Sequence, residues 1–178
     1  MTSPSDRELL LRLAREAIAA HVGGAPAHVP ASYGVLARPG GAFVTLHKHG
    51  DLRGCIGHIE ATEPLGTVVP RCAVAACSTD PRFPPVTGSE LAQLDIEISL
   101  LGPLEPIAIP ADIEVGRHGL VVERGWQRGL LLPQVATEWH WDAETFLAQT
   151  CHKAGLPHDA WKKDAKIWRF EAEVFGER

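Results

Sequence analysis

A chain of 178 residues, 45% hydrophobic and 22% charged, has the makeup of an ordinary globular protein and can bury a substantial core. Its formal net charge of -5 gives no basic footprint for a phosphate backbone, which argues against general nucleic-acid binding. No apolar run approaches the roughly 18 residues of a membrane span. Met1-Thr2-Ser3-Pro4-Ser5-Asp6 lacks the basic and apolar regions of a signal peptide. Cysteines at 55, 72, 77 and 151 show no CxxC spacing, so free thiols in a reducing cytoplasm are expected.

Ser5 and Glu8 have the spacing of a capping box, and Leu10, Leu13, Ala14, Ala17 and Ile18 follow at helical spacing until Gly23-Gly24. This predicts an amphipathic first helix. The segment from Ala25 to Pro39, with three prolines, reads as a loop. Phe43 to Lys48 and Leu52 to Gly57 then form a hairpin signal around His49-Gly50-Asp51. A three-residue loop puts Val44, Leu46, Leu52 and Ile56 on one apolar face. It puts Phe43, Thr45, His47, Arg53 and Cys55 on the other, because side chains alternate along a strand. Arg53 and Cys55 are thus expected to share one partly polar space.

Thr62-Glu63-Pro64 reads as a helix start, with Leu65, Val68, Val69, Cys72, Ala73 and Ala76 as the buried stripe. Cys72 and Cys77 are read as small buried hydrophobes. Asp80-Pro81-Arg82-Phe83-Pro84-Pro85 forbids helix and central strand, so it is a rigid loop. Its Asp80 and Arg82 are either a ligand clamp or a pair that fixes the loop to the body. Thr87 to Glu90 is a second capping-box spacing, and Leu94 to Leu101 alternates as a half-buried strand carrying Asp95, Glu97 and Ser99 on its polar side. His118, between Gly116 and Gly119, is the histidine best placed to be functional, or else it completes a turn. Leu120 to Glu123 and Gly129 to Leu132 read as another hairpin, and Pro133 to Ala136 as a turn. Asp142 N-caps a helix that ends near Lys153 and Gly155, and Ile167 to Phe175 is a final alternating strand with Trp168, Phe170, Ala172 and Val174 on one face. Strands arriving as hairpins predict an α+β fold, a largely antiparallel sheet with packed helices.

Six segments together resemble one family. They are Leu52-Arg53-Gly54-Cys55-Ile56-Gly57, Asp80-Pro81-Arg82-Phe83, Ile96-Glu97-Ile98-Ser99-Leu100-Leu101, Gly116-Arg117-His118-Gly119-Leu120, Leu131-Leu132-Pro133-Gln134-Val135-Ala136 and Lys153-Ala154-Gly155-Leu156. The chain resembles the AMMECR family, whose prokaryotic members are called AmmeMemoRadiSam system protein A. The motifs keep the family's order across nearly the whole chain, and the Pro/Gly loop around 25–40 is a minor departure. The resemblance implies a single domain over 1–178, with its body from about residue 6. It also implies two intimately associated lobes that do not fold separately, and a cleft holding the run from Leu52 to Gly57, the family's signature. It further implies association with a Memo-like protein and a radical S-adenosylmethionine protein. It supplies neither a reaction nor a cofactor.

The residues allow several chemistries. As an enzyme, the chain would use Cys55 as nucleophile or redox thiol, Arg53 to hold an anionic group, and His118 or His47 as base. As a non-catalytic binding or adaptor module, it would use Arg53, Gly54, Gly57, Asp80, Arg82 and Glu97 around a small anion or partner. A metal at His47, His49, Cys55 and His58 is disfavoured, because alternation sends His58 to the face opposite Cys55. A purely structural role would pair Arg53 with a carboxylate such as Glu97 and use Gly54 and Gly57 for close packing.

Overall fold

Pro4 decides where the first helix begins. Its fixed φ suits the first helical position, so α1 (Pro4–Val22) has Ser3 as N-cap, two residues before the expected cap. The Asp6 amide donates to Ser3 Oγ, and the Ser3 amide donates to Asp6 Oδ2, both at 3.1 Å. Ser3 and Asp6, not Ser5 and Glu8, form the box. The predicted apolar stripe stands: Leu10, Leu13, Ala14 and Ile18 are buried.

The computed structural model describes residues 1–26 and 32–178. The expected loop from 25 to 39 therefore lies partly outside the described residues, and its second half contains a 3-10 turn at Gly34–Ala37. The chain divides into two compact units, Met1–Leu101 with Glu173–Arg178, and Gly102–Ala172.

In the first unit, β1 (Ala42–Lys48) pairs antiparallel with both β2 (Asp51–His58) and β3 (Leu94–Leu101). The hairpin loop is shorter than expected. Lys48 faces Asp51 directly, leaving His49-Gly50 as a two-residue turn with φ of 54° and 87°. That is the primed geometry matching strand twist. A bulge between Leu46 and His47 then restores the register: His47 faces Leu52, but Leu46 faces Gly54. Beyond the bulge, Val44 and Ile56 face each other and Thr45 faces Cys55, as alternation requires. Leu52 is the casualty: it is paired with His47 and exposed instead of joining the apolar face.

Helix α2 (Leu65–Ser78) covers the apolar side, burying Leu65, Val68, Val69, Cys72, Ala73, Ala76 and Cys77. Its core is shared with α1, β1, β3 and Phe175. Fully burying an aliphatic side chain contributes about 1.5–3 kcal/mol, so this layer carries much of the unit's stability. Thr87 and Glu90 form the second expected box at the start of a 3-10 segment, Gly88–Gln93.

The second unit holds β4 (Glu105–Ile107), β5 (His118–Arg124), β6 (Gln127–Leu131) and most of β7 (Lys166–Gly176). All its pairings are antiparallel: β4 and β5 each pair with β7, and β6 pairs with β5. Pro133 to Ala136 is not a turn but opens a short helix, α3 (Pro133–Glu138), with Pro133 at the first position. In α4 (Ala143–Lys153), Asp142 Oδ1 accepts the Thr145 amide at 2.7 Å, and Phe146, Leu147, Thr150 and Cys151 point inward as predicted. The final strand departs from strict alternation. Ile167, Phe170 and Phe175 are its buried hydrophobes, while Val174 is exposed. The fold is α+β. Among the described residues no helix is long and apolar enough to cross a membrane.

Candidate functional site

The signature strand β2 brings two of its expected site residues into different surroundings. Cys55 follows alternation and sits beside Thr45, with Thr45 Oγ1 and Cys55 Sγ 3.2 Å apart. Across β1, Thr45 faces Glu97 of β3, so Cys55, Thr45 and Glu97 form a row across three strands. Ser99 and Phe43 form the next row with Gly57. Thr45 and Ser99 are buried, and Ser99 Oγ has no hydrogen-bond partner among the described residues.

Arg53 sits at the bulge, where alternation fails. Its Nε donates to Glu90 Oε1 at 3.0 Å, its Nη2 to Glu90 Oε2 at 3.2 Å and its Nη1 to the Pro84 carbonyl at 2.9 Å. Lys48 Nζ reaches the same carboxylate at 3.0 Å. Two cations and the Thr87 amide hold the Glu90 carboxyl at about 2, Arg53 contributing most. The guanidinium also acts on buried Cys77 of α2, where its charge favours the thiolate against desolvation. Arg53 therefore ties β2 to the loop and 3-10 segment at 84–90. The expected pairing with Glu97 is replaced by Glu90, and the space expected to be shared with Cys55 is not where its guanidinium binds.

The cation coupled to Cys55 is Arg82. The rigid Asp80-Pro81-Arg82 loop lies along the outer edge of β2. Asp80 Oδ2 accepts the Cys55 amide at 2.9 Å, and Arg82 Nη2 donates toward the Cys55 carbonyl at 3.4 Å. Arg82 also donates from Nε to Asp80 Oδ1 at 3.0 Å and from Nη2 to Asp80 Oδ2 at 2.8 Å. Arg82 first, and then the amides of Cys55 and Arg82, hold the buried Asp80 carboxyl well below the usual range. A charge on Cys55 adds to the field that keeps Arg82 protonated, after that of Asp80. Asp80 and Arg82 fix the loop to the body, and they do so at the backbone of Cys55 itself. An edge strand's outward amide and carbonyl are thereby occupied.

Both signature glycines have steric reasons. A Cβ on Gly54 would stand 2.1 Å from the Ala76 carbonyl oxygen, so Gly54 lets α2 approach the strand. A Cβ on Gly57 would stand 2.3 Å from the Phe43 ring, which lies over it. Close strand-to-helix packing accounts for Gly54; Gly57 instead accommodates a cross-strand aromatic ring.

The other thiols differ sharply from Cys55. Cys72, Cys77 and Cys151 are buried, whereas Cys55 is partly exposed. Burial pushes the Cys72 thiol up to about 11 and raises Cys77 and Cys151 as well. His118 opens β5 in the second unit, where its Nδ1 accepts the Glu114 amide at 2.9 Å. It is buried, and desolvation followed by the fields of Arg169 and Arg117 pushes it below the usual imidazole value. In the first unit, His49 Nε2 lies 3.0 Å from Gln93 Oε1, and His58 faces Ala42 with Glu60 and Glu63 nearby. Among the described residues no three His, Cys, Asp or Glu side chains converge as a metal site.

Glu90 and Thr45 are the site residues that sequence reasoning did not single out. Glu90 was visible as the end of a capping box, but its second duty as counter-ion of Arg53 depends on the bulge. Thr45 was visible through alternation alone, opposite Cys55.

The family model AMMECR1 matches residues 11–175. A protein from Methanothermobacter thermautotrophicus is 48% identical over 187 residues, an alignment covering 98% of this chain and 96% of that one. One from Thermococcus gammatolerans is 47% identical, covering 96% of this chain and 89% of the relative. The crystal structure of uncharacterized protein PH0010 from Pyrococcus horikoshii superposes with a TM-score of 0.90 at 44% identity, covering 96% of this chain and 91% of that one.

Proposed function

The chain belongs to the AMMECR1 family, and from that premise we propose that it works through Cys55 as a thiol nucleophile in a transfer or modification reaction. The observation that carries this reading is the contrast among the four thiols. Three are buried, with raised pKa values where the thiolate is disfavoured, while Cys55 is partly exposed. Its backbone is pinned by Asp80 and Arg82, and its sulfur has the Thr45 hydroxyl at 3.2 Å. In the proposed step a sulfur lone pair forms a bond to an electrophilic carbon of the substrate. The leaving group departs with the bonding pair, and the thiol proton passes to solvent. The Thr45 hydroxyl, 3.2 Å from Sγ, is placed to donate to the attacking sulfur. Arg53, bound to Glu90, is a positioning residue for the strand in this reading.

The test is timed iodoacetamide labelling of the folded protein with mass-spectrometric mapping, on wild type and Cys55→Ser. Cys55 should be modified first, and the variant should lose that fast phase while keeping its fold. An unreactive Cys55 beside labelled Cys72, Cys77 or Cys151 would overturn the reading.

A second reading is a non-catalytic small-anion or adaptor module, and its adaptor version, for a Memo-like or radical S-adenosylmethionine partner, is the one a specific observation favours. Arg53 and Arg82 each already have a carboxylate partner, so Cys55 would be a packed residue on a docking surface. Co-elution of the purified chain with such a partner, undiminished in Cys55→Ser, is what this reading expects.

A further inference from the structure

The second unit contains a cavity of about 290 Å³ that none of the Cys55 chemistry uses. It is near the lower end of the size range of small-molecule sites. Its lining comes from three sources: the loop at 111–114, the start of β5 at Arg117 and His118, and the β4–β7 pair at Glu105, Arg169 and Glu171.

Two donors in this lining lack acceptors. His118 is 6% exposed, and its Nδ1 is the acceptor for the Glu114 amide at 2.9 Å. The ring proton therefore resides on Nε2, which has no protein acceptor among the described residues. Burial and the two nearby arginines keep the ring neutral, so Nε2 offers a single N–H. Arg169 donates from Nε to Glu105 at 2.9 Å and from Nη1 to the Asp112 carbonyl. Its Nη2 has no acceptor among the described residues. His118 as a residue is buried, yet its Nε2–H lies in the lining of the cavity, where it can donate to an acceptor that a small molecule brings.

The more exposed lining is acidic. Glu105, Glu114 and Glu171 have side chains 61%, 64% and 57% exposed, and Arg117 bridges the latter two. With Asp112, four carboxylates stand against two arginines in the lining. A simple anion would meet the two free donors but also this acidic excess. A simple cation would meet the acidic excess but leave the donors empty. A molecule with an acceptor at one end and a cation at the other satisfies both.

We propose that this cavity binds a small zwitterion of the α-amino-acid class, its carboxylate on His118 Nε2–H and Arg169 Nη2 and its ammonium among Glu105, Glu114 and Glu171. The site stands independently of the Cys55 reading, since it uses none of its residues.

The test is an NMR titration of the intact chain, following the imidazole resonances of His118 against a set of free amino acids, with acetate and methylammonium as single-charge controls. At least one amino acid should move the His118 signals saturably, and both controls should bind at least about tenfold more weakly, the loss expected from one unmade charge-assisted hydrogen bond. Arg169→Gln, with its fold checked by spectral dispersion, should weaken the same amino acid by a similar factor, and so should His118→Gln, whose titration is followed by the backbone amide resonances of the cavity lining. The proposal is overturned if no amino acid gives a saturable shift. It is equally overturned if acetate binds as tightly as the amino acid, or if folded Arg169→Gln binds unchanged.

Discussion

Gly54 is the residue at which packing leaves least freedom. The atom that an added methyl would meet is a backbone carbonyl, at 2.1 Å, which cannot move without shifting α2. Gly54→Ala should therefore cost about 2–4 kcal/mol by overpacking, lowering Tm by roughly 5–15 °C for a chain of this size. Gly57→Ala meets a rotatable phenyl ring instead and should cost visibly less. Thermal melts of both variants check this; equal losses would mean that backbone and side-chain obstacles were wrongly ranked. At this scale the sequence was informative wherever alternation applied. Cys55 could be placed opposite Thr45 because a strand's period is two. Arg53, two residues away, could not be placed. A two-residue turn plus one bulge residue leaves Gly54 opposite Leu46, as a three-residue loop also would, so the pattern beyond the bulge cannot distinguish them. The difference shows only at the turn side of the bulge, in Arg53 and in the exposed Leu52.

Among the elements, the 80–90 segment shows how much one carboxylate can organise. Glu90 closes the capping box on Thr87 and also takes Arg53 and Lys48. Its folded pKa is about 2, below the ordinary 4.5. A depressed carboxyl adds stability that is complete above the unfolded value and is lost as pH falls through the folded one. Wild type should thus lose stability between pH 4.5 and 2, and Glu90→Gln should be less stable at neutrality but lose less across that window. Urea unfolding at stepped pH measures this; parallel pH curves for the two proteins would rule out Glu90 as a contributor. The capping box was readable from Thr87 and Glu90, as were the α4 cap at Asp142 and the helical stripes. The Arg53–Glu90 pair was not, because it joins residues 37 apart through a loop whose prolines predict rigidity but not direction. His118 was hidden for a related reason: its Nδ1 bond to the Glu114 amide depends on the turn's backbone path.

At the scale of the whole molecule, the last six residues belong with the first hundred. Phe175 enters the first unit's core, and Glu173 accepts from Thr2 and Arg7. Glu177 accepts from Arg15 Nε and Nη2, both at 2.6 Å, and from the Ile96 amide at 2.9 Å. Arg15 also donates to the carbonyls of Leu91 and Leu94. Glu177→Gln should cost about 1–3 kcal/mol, since an arginine and a buried amide lose charge-assisted partners. Denaturant melts should show it as a lower midpoint, and an unchanged midpoint would show the clasp to be energetically idle.

This return of the chain has a consequence for synthesis. A ribosome releases residues in order, and domains begin to fold as they emerge. Residues 102–172 are all available before Glu173 appears, so the later unit in sequence can be completed first. The earlier unit must wait, with the Arg15 guanidinium lacking its carboxylate and the Phe175 position in the core unfilled, until residues 173–178 have emerged. A nascent chain stalled before Glu173 would expose that unfinished surface to chaperones.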